Sequence, residues 1–267
     1  SETRTLEARY RRAFTYGNIE LNGAITKDSL LPGDTRGYFF AAGEFALRNG
    51  FRFDFDIETV SDDSYFNDYD YGDNERLDSA FTLSRARRDD FFSTDLIYYE
   101  TLRAAEDDET QPSVMVNTEY ERRFFPDRIG GEFRLGAILH GHYRRSDLDI
   151  DSDDEDSVVD GRDMARLSAE ASWRRRWTLA GGLRLGVLGQ LWADRYAVWD
   201  DASADAEASQ LVPGASMELR WPLVNRQAFG GRSLLEPVAQ IGWIGGDRPN
   251  IPNDESTRVE FDEARAI

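Results

Sequence analysis

Nine arginines fall on even-numbered positions of segments that alternate polar and apolar residues: Arg48, Arg52, Arg134, Arg144, Arg166, Arg174, Arg176, Arg184 and Arg220. The same positions carry Glu20, Glu44, Asp54, Asp56, Glu170, Glu218 and Glu236. A guanidinium fork pairs with carboxylate or phosphate through two parallel hydrogen bonds, so such a row suits a phosphorylated, acidic saccharide. Mixed charge of this kind also simply keeps a wet passage hydrated, and residue types alone leave both readings open. The candidate residues lining that passage are Arg52, Asp54, Asp56, Arg134, His140, Arg166, Glu170, Arg174, Arg184, Glu218, Arg220 and Glu236.

Other chemistry finds little support. His140 and His142 share a strand face and could join a metal site, but no third ligand accompanies them, so a plain polar role is expected. Asp149-Ile150-Asp151-Ser152-Asp153 spaces its carboxylates like the start of a calcium loop. The glycine needed at the sixth position is Asp154, and no glutamate follows at the twelfth, so a solvated acidic segment is expected instead. There is no Gly-x-Ser-x-Gly elbow, phosphate-binding glycine loop or zinc-protease helix. Neither an enzyme nor a cofactor is expected.

The elements that must carry these side chains are strands. Leu183, Leu185, Val187, Gly189, Leu191 and Ala193 alternate with Arg184, Gly186, Leu188, Gln190, Trp192 and Asp194. Successive strand side chains leave opposite faces, so a period of two places the two sets on opposite sides of a sheet. The same reading gives twelve strands: Leu6–Phe14, Asn18–Lys27, Gly37–Arg48, Phe51–Val60, Leu77–Arg87, Phe91–Arg103, Val114–Phe125, Gly131–Arg144, Met164–Trp177, Leu183–Trp199, Leu211–Leu223 and Leu234–Trp243. They are about twice the common length of five or six residues, which disfavours a soluble sandwich. Strands of about ten residues, tilted some 40°, cross roughly 25 Å of hydrocarbon.

Connections alternate in length. Short turns lie at 15–17, 49–50, 88–90, 126–130, 178–182 and 224–232, with Asn49-Gly50 a strong type I′ signal. Longer acidic segments lie at 28–36, 61–76, 104–113, 145–163 and 200–210, with 244–267 last. Aromatic residues gather toward strand ends, including Tyr98, Phe124, Trp177, Trp199, Trp221 and Trp243, as rings at a membrane–water boundary do. Pro213 and Pro237 stand within two of the strands, where they would weaken pairing locally, and a strand-start position accounts for Pro213 equally well. Together these features predict an all-β fold, an antiparallel up-and-down transmembrane β-barrel.

Composition agrees with that expectation. The 267 residues carry a net charge of -19, a mean hydropathy of -0.61 and no cysteine. No apolar run is long enough for a transmembrane helix, disulfides are excluded, and the acidic balance disfavours a nucleic-acid partner. Lys27 is the only lysine. The chain begins at Ser1 with no leader and reads as an internal piece of a longer precursor.

Several phrases add a family. Tyr16-Gly17-Asn18-Ile19-Glu20-Leu21-Asn22-Gly23-Ala24 precedes Arg36-Gly37-Tyr38, then Phe55-Asp56-Ile57-Glu58-Thr59-Val60-Ser61-Asp62-Asp63-Ser64-Tyr65-Phe66. Later, Leu235-Glu236-Pro237-Val238-Ala239-Gln240 precedes Ile251-Pro252-Asn253-Asp254-Glu255-Ser256 and Phe261-Asp262-Glu263. In this order they resemble the lipopolysaccharide-assembly outer-membrane family LptD, also called organic solvent tolerance protein, in an alphaproteobacterial form. The resemblance implies that residues 1–267 are a central segment, about twelve strands, of one large outer-membrane barrel. An N-terminal jellyroll and the terminal barrel strands would lie outside the chain. It also implies a translocon that inserts lipopolysaccharide into the outer leaflet of a Gram-negative outer membrane. Implied partners are lipopolysaccharide, an LptE-like lipoprotein plug, a periplasmic LptA-like bridge reached through the jellyroll, and outer-membrane lipid. A passive porin or substrate-selective channel shares every barrel feature and is separated only by the family phrases.

Overall fold

The computed structural model describes residues 3–29, 35–69, 71, 75–103, 106–152, 158–225, 231 and 233–246. The elements are β1 (Arg4–Phe14), β2 (Gly17–Lys27), β3 (Arg36–Ala46), β4 (Arg52–Val60), α1 (Tyr65–Tyr69), β5 (Arg76–Ala86), β6 (Asp90–Thr101), β7 (Val114–Phe124), β8 (Glu132–Tyr143), β9 (Asp163–Thr178), β10 (Arg184–Trp199), β11 (Glu207–Arg220), β12 (Leu223–Asn225), β13 (Ser233–Leu235) and β14 (Val238–Ile244). One sheet takes β1 to β11 in chain order and then β14, while β12 and β13 form a separate hairpin. Because β1 and β14 are the two ends of that sheet, it does not close, and the expected transmembrane barrel is corrected to an open twelve-stranded antiparallel sheet. Alternation fixes which side chains share a face and which neighbours pair, but says nothing about whether the last strand meets the first.

Two compact units divide the chain: Ser1–Tyr120 with Leu139–Arg166 and Ala197–Ala206, and Glu121–Ile138 with Leu167–Tyr196 and Glu207–Ile267. In the first unit the β1–β2 register sets Leu6 opposite Ile25 and Tyr10 opposite Leu21. Further along the same face, Gly43 stands opposite Phe55 and Phe55 opposite Phe81. This face is apolar and exposed: Leu6 is 73% and Ile25 60% accessible. Asn49 (φ 61) and Gly50 (φ 77) both take the left-handed conformation, as a type I′ hairpin between β3 and β4 requires.

The opposite face of this unit holds its core. Ala24, Tyr38, Tyr65, Phe66, Leu77 and Leu102 are buried together, with Phe40, Val60 and Tyr69 packed against them. Within segment 61–76, expected as one of the longer acidic connections, α1 folds back onto the sheet, because four aromatic rings there need covering. At the centre stands Arg36, only 2% exposed, which bonds Asp62 at 2.7 Å, Asp68 at 2.8 Å and Asp28 at 3.2 Å. Its guanidinium also lies over the rings of Tyr65 and Tyr69. A charge this buried persists only when its donors are matched, and here three carboxylates match them.

Alternation shifts within β5. Leu77 packs beside Tyr38 and Val60, whereas Phe81, of the same parity, pairs with Phe55 on the other face. Between them Ser79 Oγ accepts from the Glu58 N–H (3.0 Å) and donates to the Glu58 carbonyl (3.1 Å), replacing ladder bonds where β4–β5 pairing ends. Such a shift re-aims side chains in the manner of a bulge.

In the second unit Leu167, Leu191, Leu211, Met217, Ile241 and Trp243 are exposed on the apolar face. β11 begins four residues before the expected Leu211, extended by an Arg195–Glu207 pair at 2.8 Å. The expected strand Leu234–Trp243 divides at Glu236-Pro237, and Pro222 separates β11 from β12. The β11–β14 ladder ends in a proline at both limits: Gly245 N–H donates to the Pro213 carbonyl (2.9 Å), and Trp221 N–H to the Pro237 carbonyl (3.0 Å).

Replacing Arg36 by Met should take the guanidinium away from the buried Asp28 carboxylate, which keeps the Tyr69 hydroxyl, costing on the order of 3–5 kcal/mol; thermal unfolding in detergent measures the loss. The bond from Arg36, helped by Ser61 and Ser64, holds the Asp62 carboxyl down at about 2 from its ordinary 3.8. Its contribution is therefore complete above about pH 4 and disappears as pH falls through about 2. An acid titration followed by tyrosine fluorescence should show that step in the parent and not in Asp62→Asn.

Candidate functional site

The charged face of the second unit forms the candidate site. A cavity of about 510 Å³ is lined by Arg134, Arg174, Arg176, Glu132, Glu170 and Glu218, with Gln190, Trp192, Ser172, Ser216 and Gln240. A second cavity of about 380 Å³ shares Arg176 and Glu218 and adds Arg184, Arg220 and Glu236. Five arginines face four glutamates, a local positive surplus in a chain of net charge -19.

Period-two geometry delivers these groups from five strands. Arg134 comes from β8; Glu170, Arg174 and Arg176 from β9; Arg184 and Gln190 from β10; Glu218 and Arg220 from β11; Gln240 from β14. The β11–β14 register sets Glu218 opposite Gln240. Ion pairs fix some of the guanidiniums: Arg134 to Glu121 at 2.7 Å, Arg174 to Glu132 at 2.9 Å and Arg220 to Glu218 at 2.7 Å. Among the described residues Arg176 and Arg184 make no ion pair within 4 Å. Arg134 Nε and Gln190 Nε2 are buried donors with no hydrogen-bond acceptor among them. A Cβ on Gly214 would lie 2.9 Å from Gln190 Nε2, so glycine there gives the amide its place. The lining thus offers unsatisfied N–H donors to an anion, and lacks any paired nucleophile and base.

Of the residues named from sequence, Arg134, Glu170, Arg174, Arg176, Arg184, Glu218, Arg220 and Glu236 line these two cavities. Arg52, Asp54 and Asp56 stand on β4 in the other unit, where Arg52 pairs with Asp54 (2.8 Å) and Glu44 (3.0 Å). His140 is 5% exposed, its Nδ1 2.7 Å from Asn117 Oδ1. Its neighbour His142 lies 3.2 Å from the Arg162 carbonyl, within a network that includes buried Arg144. Arg166 is half-buried on β9 and does not line either cavity. Sequence reasoning missed Glu132, Gln190, Trp192 and Gln240 as lining groups; the parity that selected Arg184 also selects Gln190 and Trp192, but neither carries a charge to draw attention. No group of residues able to hold a metal ion occurs among the described residues. Asp153 to Asp156 of the calcium-like segment and the phrase from Ile251 to Glu263 lie outside them.

An open antiparallel sheet with a greasy exposed face and an arginine-lined charged face defines a β-strand protein built for two unlike surroundings. The chain belongs to the LptD family: residues 34–266 match the family model described as LPS transport system D. No curated protein matches it. Family membership, with the strand-dominated structure, supports an outer-membrane location and a general role in lipopolysaccharide transport by a non-catalytic protein.

Gly131 (φ 81) positions β9 as well as the turn, because a Cβ there would fall 2.4 Å from the Arg174 carbonyl. Gly181 (φ 73) carries the same backbone requirement with open space around it. Gly181→Ala should therefore cost about 1–2 kcal/mol through backbone strain, and Gly131→Ala clearly more. Urea unfolding of the two variants in detergent makes the comparison.

Proposed function

We propose that this chain is part of one outer-membrane domain that inserts lipopolysaccharide into the outer leaflet. The phosphorylated saccharide travels over the charged face of the second unit, and the apolar face meets lipid. The observation that carries this reading is the groove: among the described residues Arg176 and Arg184 form no ion pair, and they line it together with the buried donors of Arg134 and Gln190. Guanidinium forks of this kind take phosphate bidentately, while the glutamates between them keep binding weak enough for release. Leu167, Leu191 and Trp243 on the reverse face present the surface that acyl chains accept. An LptE-like lipoprotein and an LptA-like periplasmic bridge are the partners this role calls for. The free energy of transport enters elsewhere, so the chain needs only to bind, guide and release.

A photo-crosslinking residue at Gln190 in the full-length protein tests the route. It should form an adduct with lipopolysaccharide in growing cells, and Arg176→Gln with Arg184→Gln should cut the yield about tenfold, the loss of roughly one charge-assisted hydrogen bond. Glu218→Gln, which releases Arg220, should raise it. Adducts formed at Leu191 but never at Gln190 would overturn the assignment of the saccharide to the charged face.

A further inference from the structure

An arginine stacked on an aromatic ring two residues later recurs where strands enter short turns. Arg122 lies 5.2 Å from the Phe124 ring centre at the end of β7. Arg175 lies 4.9 Å from that of Trp177 near the end of β9. In the first unit Arg12 lies 4.9 Å from that of Phe14 at the end of β1. A spacing of two puts cation and ring on one face, and in each case that face is the apolar one. Arg12 stands opposite Ile19, Phe124 packs on Phe133 at 6.4 Å, and Trp177 packs on Trp173 at 6.4 Å.

In the second unit the pieces converge on the turn between β7 and β8. Trp173 Nε1 donates to the Gly130 carbonyl at 3.0 Å, and Arg175 Nη1 donates to the Ile129 carbonyl. The carboxylates nearest in sequence are already engaged: Glu121 holds Arg123 and Arg134, and Glu132 holds Arg174. Asp127 in the turn is the remaining acid, beside Arg128. Arg122 and Arg175 form no ion pair within 4 Å among the described residues. Farther along the same face Leu135, Leu167 and Leu191 are exposed. Stacking fixes the plane of a guanidinium while leaving most of its donors free, and the ring beneath is a group that settles at headgroup depth.

We propose that Arg122 and Arg175, stacked on Phe124 and Trp177, bind the headgroup phosphate of an anionic glycerophospholipid whose acyl chains lie along Leu135 and Leu167. This rests on the reading that the apolar face meets lipid. The short-turn end is the periplasmic end in outer-membrane strand proteins, so the occupant is a phospholipid and not the glycolipid being exported.

The test places the full-length protein in nanodiscs of phosphatidylcholine with one-fifth phosphatidylglycerol and counts the lipids retained in native mass spectrometry. Phosphatidylglycerol should be enriched about fivefold for each arginine near the headgroup plane. The double variant Arg122→Gln with Arg175→Gln should bring retention back to the bulk ratio, and the double lysine variant should keep part of the enrichment. A protein that inserts normally but shows no enrichment, or keeps it in the double glutamine variant, overturns the headgroup site alone. A protein that enters neither anionic nor zwitterionic discs overturns both this site and the lipid-facing reading beneath it.

Discussion

Everything in this molecule depends on pairing the backbone within the plane of the sheet. Once each N–H and carbonyl is met by a neighbouring strand, the two faces are free to differ completely, and here they do. Ile25, Leu167 and Leu191, on strands with a neighbour along both edges, can stay exposed on one side because their backbone groups are met within the sheet. On the other side Arg134, Arg174 and Glu218 are set into a groove by the same alternation. One constraint supplies both the surface for lipid and the surface for saccharide.

The charged side is used in two different ways. In the first unit it is filled: α1 and its tyrosines cover it, and Arg36 is locked among Asp28, Asp62 and Asp68. In the second unit it is left open, and among the described residues Arg176 and Arg184 form no ion pair there. Buried charge serves fixed architecture in the first case, since every guanidinium donor that loses its acceptor there is costly. Exposed charge serves passage in the second, where water can replace a departing ligand.

Much of this was legible in the sequence, and the reasons for the remainder are specific. The β3–β4 hairpin follows from Asn49-Gly50 because few other pairs tolerate positive φ twice. Arg184 and Glu218 fall on the charged face because parity admits nothing else. Closure was not legible, since a linear pattern contains no term for the distance between first and last strand. The helix α1 was hidden because Tyr65-Phe66-Asn67-Asp68-Tyr69 is too short to show a 3.6-residue period and lies within what reads as a longer acidic connection. The burial of His140 draws on Asn117, 23 positions away, and that of His142 on the Arg162 carbonyl, 20 positions away, neighbours that only strand pairing brings near.

The two prolines that limit the β11–β14 ladder have a consequence for assembly. Strands can slip only by even steps without turning their greasy side inward. Pro213 and Pro237 each contribute a carbonyl and no donor at opposite limits of the ladder. A two-step slip that deepened the overlap would carry both rings into its interior, leaving a carbonyl unmatched beside each. The pair thus works as end stops, so that a mis-threaded strand is rejected where zippering starts and again where it finishes.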